Sequence, residues 1–141
     1  MLDDAYENSI GTRSPQARNA YDLGVHRFLG AEPGVADAFQ AAIDADEGFA
    51  LAHIGIARDM QMRARPDRVM ASLARARDLA SGLGARERSH INASGLLLEG
   101  KAAAARAAVY EHVEEWPTDV LIAQMCTSVF GLIGFSGLPG R

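Results

Sequence analysis

Apolar positions along this chain recur every three or four residues, and no stretch shows the period-two alternation of a half-buried strand. Phe39, Ala42 and Ile43 form one such group, and Val69, Leu73 and Ala76 another. The breaks between periodic stretches carry helix-bounding chemistry. Ser14-Pro15 suits a first turn, because Ser caps free amides and Pro has the right φ. The pattern predicts helices over about Pro15–Leu29, Val35–Ala45, Glu47–Arg63, Pro66–Ala80, Arg86–Glu99, Ala102–Trp116 and Thr118–Ile133. Residues 1–14 read as an extended lead-in, and the Gly/Pro-rich tail 134–141 reads as a truncated end.

The helices fall into pairs, about 15–46, 47–81 and 85–116, with an unpaired helix over 118–133. Val35, Phe39 and Ala42 recur as Val69, Leu73 and Ala76, each 34 residues on, which is the tetratricopeptide period. Val109 follows Leu73 at 36, so about two residues are inserted, and Ser81–Gly84 is the expected place. Leu23-Gly24 and Ile54-Gly55 are 31 apart, which predicts a longer turn near Gln61–Arg65 in the second pair. Gly24 and Gly55 are expected to let the second helix of each pair approach the first. The expected fold is therefore all-α: a right-handed tetratricopeptide-type solenoid of about seven helices over 15–133. One pair cannot bury its apolar face alone, so stacking makes the core continuous.

Composition sharpens this picture. Nearly half of the 141 residues are hydrophobic and only 6% are aromatic. Abundant alanine favours closely packed helices. The net charge of -4 argues against nucleic acid as a partner of the whole chain. Charge is uneven, however. Residues 1–57 hold three Arg against nine acids, residues 58–88 eight Arg against four, and the rest three bases against five. The plain reading is solvated helix faces; the sharper one is a basic middle that receives an acidic partner or the acidic end of a second copy. Cys126 is the only cysteine, which rules out a disulfide within the chain and suits a reducing compartment. The acidic N-terminus does not read as a signal peptide and no apolar run reaches membrane-span length, so a cytoplasmic protein with no membrane partner is expected.

Several short stretches resemble one branch of the repeat superfamily. They are Thr12-Arg13-Ser14-Pro15-Gln16-Ala17, Ala45-Asp46-Glu47-Gly48-Phe49-Ala50-Leu51-Ala52-His53, Ala85-Arg86-Glu87-Arg88-Ser89-His90 and Trp116-Pro117-Thr118-Asp119-Val120-Leu121. Together they are similar to the tetratricopeptide repeat protein 38-like family. Its members are longer, so the resemblance implies the N-terminal part of a longer solenoid. It implies a fold and no mechanism.

No catalytic, metal or cofactor site is read from the residues. Gly95–Lys101 has P-loop spacing, but Ala102 stands where Ser or Thr must reach the metal, and Leu96–Leu98 belong to a helix. His26, His53, His90 and His112 never fall at i,i+4 spacing, and no cysteine is near them. Cys126 reads as a packed thiol. The expected function is a protein-interaction scaffold, not an enzyme, whose concave groove takes a peptide or partner protein. The groove candidates are Arg18, Tyr21, Val25, His53, Asp59, Met60 and His90; the Lys/Asn clamp that grips C-terminal carboxylates is missing from this face. The alternative is a subunit or fragment of an enzyme with catalytic residues beyond residue 141. The unpaired last helix predicts self-association through Leu121, Ile122, Met125, Val129, Phe130 and Ile133.

Overall fold

The structure, a computed structural model, describes residues 2–127. It contains α1 (Pro15–Leu29), α2 (Val35–Ala45), α3 (Ala50–Met62), α4 (Pro66–Leu79), α5 (Ala85–Leu98), α6 (Ala102–Glu115) and α7 (Val120–Thr127). A short 3-10 turn, Ala80–Gly82, links α4 to α5. Apart from one isolated bridge between Asp3 and Ser9, the described residues are helices and connections. None of their helices is long and apolar enough to cross a membrane.

Each helix pair buries the same register. Val35, Phe39 and Ala42 in α2 match Val69, Leu73 and Ala76 in α4 and Ala105, Val109 and His112 in α6. The turns within pairs repeat too. Each has a left-handed residue just past its first helix, Ala31 at 53°, Ala64 at 56° and Gly100 at 77°. In each, the following amide reaches back five residues: Glu32 to Arg27, Arg65 to Met60 and Lys101 to Leu96. This closure satisfies carbonyls that a helix end leaves free. Successive pairs then pack together, α3 against α2 and α5 against α3 and α4.

Three expectations change in detail. The third helix starts at Ala50 rather than Glu47, because Asp46 folds a turn: its carbonyl accepts the Phe49 amide and its carboxylate the Gly48 amide. The turn of the second pair is shorter than that of the first, because Gly24 and Gly55 are not equivalent. Gly24 lies seven residues before its left-handed Ala31, and Gly55 nine before Ala64. Both face one ring: a Cβ on either would fall 2.7 Å from Phe39. Gly55 therefore admits a helix of the preceding pair, not its own partner. The two inserted residues of pair three are divided, one in the α4–α5 link and one in α5, which has fourteen residues against thirteen in α3.

The lead-in contains a turn at Asp4–Asn8. Asp4 accepts the amides of Tyr6 and Asn8 at 2.9 and 3.0 Å, and Glu7 takes a φ of 67°. Asn8 is then bonded twice to Thr118, at 2.9 and 3.0 Å, so the N-terminus is fastened to the α6–α7 junction. Arg58 fastens α3 to α7. Its buried guanidinium donates to the Leu121 carbonyl at 2.7 Å and to Gln124 Oε1 at 2.8 Å, and it lies 4.6 Å over the Phe28 ring. Burial draws its pKa down to about 10.

Candidate functional site

A polar cluster is buried where α5, α6 and the α6–α7 junction meet. α5 brings Arg86, Ser89 and His90 to one side, α6 brings His112, and Asp119 precedes the first turn of α7. One oxygen, Asp119 Oδ2, accepts from Arg86 Nη1 at 2.7 Å, His112 Nε2 at 2.8 Å and His90 Nδ1 at 2.9 Å. His90 is fully buried, and His112 and Asp119 nearly so. Arg86 also donates to the Ser9 carbonyl at 2.8 Å. Burial pushes the Asp119 carboxyl up, but His90, His112 and Arg86 together outweigh it and hold the group well below the usual carboxylate range. Burial draws His90 down, against the pull of Asp119.

The hydrogen bonds assign tautomers. In a neutral His112 ring that donates through Nε2, Nδ1 accepts from the Ser89 hydroxyl at 2.8 Å. His90 donates through Nδ1, which leaves Nε2 a buried lone pair without a partner among the described residues; Ser94 Oγ, one turn further along α5, is in the same condition. Unpartnered buried polar atoms are rare and call for an explanation. One ligand atom each from His90, His112 and Asp119 lie within 4.8 Å of one another.

The repeat shows how unusual these residues are. The junction α6–α7 closes as α2–α3 does: Trp116 bonds back to His112 as Asp46 does to Ala42, and Asp119 to Trp116 as Phe49 does to Asp46. At this shared offset, His112 stands where the first unit has Ala42, and Asp119 where it has Phe49. There Phe49 is buried against the Tyr21 ring at 4.9 Å. The third unit thus replaces an apolar contact with a charged one, which burial disfavours unless partners compensate.

Two recesses reach the cluster from outside. One of about 200 Å³ is lined by Ser89, Asn92, Glu111, His112, Glu115 and Trp116. The other, about 450 Å³, is lined by Glu7, Asn8, Arg86, Glu87 and Trp116 among others. Trp116 borders both, and its ring packs on His112 at 4.9 Å.

No family model, curated protein or solved structure matches this chain.

A second feature lies at the α3–α4 turn. A recess of about 330 Å³ is lined by Gly34, Asp37, Met60, Arg63, Arg65 and Arg68. Arg63 pairs with Asp59 at 2.9 Å, and Arg65 with Asp67 at 3.8 Å. Beside it an apolar notch of about 120 Å³ is lined by Pro66, Val69, Met70 and Leu98, and Arg65 borders both.

The groove candidates do not share one surface. Tyr21 and Val25 are core residues, and His90 belongs to the buried cluster. His53 is buried with Nε2 2.8 Å from the Glu47 carbonyl. Arg18 is partly exposed. Only Asp59 and Met60, both mostly buried, border the arginine recess through Arg63 and directly. Leu121, Ile122 and Met125 pack into the chain's own core, because α7 docks on α6, α5 and α1. Val129, Phe130 and Ile133 lie outside the described residues. The P-loop-like stretch is helical through Leu98, and Glu99 is ion-paired with Arg77 at 2.9 Å.

Sequence reading missed the cluster because His90, His112 and Asp119 are 22 and 7 residues apart, far from local ligand spacing. A signal was present. At the offset of 36 that aligns Val109 with Leu73, His112 falls on Ala76, and a histidine at a small-residue register position points inward.

Proposed function

We propose that this chain is a protein-interaction scaffold of the tetratricopeptide type, right-handed, cytoplasmic, and the N-terminal part of a longer repeat protein resembling the 38-like family. It binds and does not catalyse. The common burial register and common turn closure of its three pairs support the repeat reading.

The observation that carries a binding role is the α3–α4 turn. Three arginines line one recess, and an apolar notch with the exposed Met70 adjoins it through Arg65. Exposed Met62 stands on the same turn. Arginine forks match carboxylates, and methionine adapts to varied apolar side chains. The partner that fits is an acidic peptide segment with a bulky apolar residue.

Fluorescence anisotropy with short labelled peptides tests this. A peptide of glutamates around one leucine should bind, and its glutamine counterpart should not. The double variant R65E/R68E should weaken binding by about tenfold or more, with a lower association rate and a lost salt dependence. Equal binding of the glutamate and glutamine peptides would refute the reading. So would tighter binding of single-stranded DNA than of the acidic peptide.

A further inference from the structure

We propose that His90, His112 and Asp119 form a zinc site, reached through the recess beside Trp116. Two imidazoles and one carboxylate are the donor set of an open zinc centre, in which a fourth position stays free for water or another ligand. Their facing atoms are His90 Nδ1, His112 Nε2 and Asp119 Oδ2, at N–O separations of 2.9 and 2.8 Å. Bonds to zinc of about 2.0–2.1 Å at tetrahedral angles place donors roughly 3.3 Å apart. The two N–O separations therefore need to open by only a few tenths of an ångström, while the two nitrogens, within 4.8 Å of each other, settle at the same spacing.

The surroundings suit a ligand role. Zinc takes imidazole through a lone pair, so each ring must carry its proton on the far nitrogen. For His112 that proton has a place: Nδ1 already meets Ser89 Oγ at 2.8 Å, and the hydroxyl rotor turns from donor to acceptor. For His90 the far nitrogen is Nε2, buried and without an acceptor among the described residues, so this ring counts against the metal unless a side chain turns toward it. The recess of about 200 Å³ that borders His112 has Glu111 and Glu115 in its wall, a pair of carboxylates that favours cation approach. Arg86 opposes the metal, because its guanidinium lies on the same carboxylate oxygen at 2.7 Å. Its second contact, to the Ser9 carbonyl, gives it somewhere to remain when that oxygen turns to zinc.

Zinc chloride titration followed by calorimetry and thermal melting tests the proposal on the intact chain, with cobalt(II) absorption as a report of nitrogen ligation. The wild type should take up one zinc per chain and melt at a higher temperature with it. H112Q should lose affinity by about a hundredfold, and H26Q, at an exposed histidine on α1, should retain it. S89A leaves all three ligands and should weaken affinity by roughly 10–100-fold, so it decides the matter if H112Q does not fold. No uptake by the wild type overturns the site, as does unchanged affinity in folded H112Q or in S89A.

Discussion

Replacing Gly24 by alanine sets two known effects against each other at one position. Gly24 is in the middle of α1, where alanine gains about 1 kcal/mol from helix propensity alone. The added methyl, however, would fall 2.7 Å from Cδ1 and Cε1 of Phe39 and 2.9 Å from Cζ. The ring has no room to yield. It is fully buried, Tyr21 lies 5.7 Å away and Gly55 also closes on the ring. Overpacking of this kind costs about 1–3 kcal/mol, so G24A should be neutral to destabilising by about 2 kcal/mol. The repeat itself names the remedy, since Leu73 holds the register position of Phe39 in α4. Leucine has no Cε1 or Cζ, and its Cδ methyls can turn away about χ2, so in an F39L background the clash should be relieved and G24A should stabilise by up to about 1 kcal/mol. Urea unfolding of the four proteins gives the coupling directly, expected at about 1–3 kcal/mol. The same effect of G24A in both backgrounds would refute the account of Phe39 wedged between two glycines.

Two further outcomes are expected. R58K keeps the charge but cannot reach both the Leu121 carbonyl and Gln124, so a buried carbonyl is left unpaired; a loss of about 1–3 kcal/mol and faster amide exchange in α7 should follow, and an unchanged urea midpoint would contradict this. Glu87 is buried, and burial raises its pKa against the bond it accepts from the Gly11 amide at 2.9 Å. A raised carboxyl pKa favours the fold below the unfolded value, and that advantage is lost as pH rises through the folded one. E87Q keeps the acceptor without the charge, so it should exceed wild type in melting temperature at neutral pH, with the gap closing toward pH about 4; a gap independent of pH would refute it.

Helix existence, order and pairing were legible in the chain because they rest on local signals. Ser14 caps α1 by accepting the Ala17 amide at 3.0 Å, as its place before Pro15 suggests. The 34-residue recurrence of Val35, Phe39 and Ala42 marks side chains that are buried in the structure. Periodicity reports which face is apolar, and apolar faces are what pack. Locations decided by long-range contact were not legible. Gly55 shares the Leu/Ile-Gly pattern of Gly24, yet it serves the ring of the preceding pair, and no local rule distinguishes the two. Tyr21, Val25 and His90 follow the face of a first helix, but that face is covered by later helices.

The buried cluster shows the same division most clearly. That His112 points inward follows from its register with Ala42 and Ala76, which the sequence contains. That it meets His90 and Asp119 on one oxygen depends on how α5, α6 and the α6–α7 junction converge. Three side chains from separate elements meet only when packing brings their backbones together, and packing is a property of the whole chain. The sequence alone determined which residues are helical and which face inward; the tertiary structure decided what each inward residue meets.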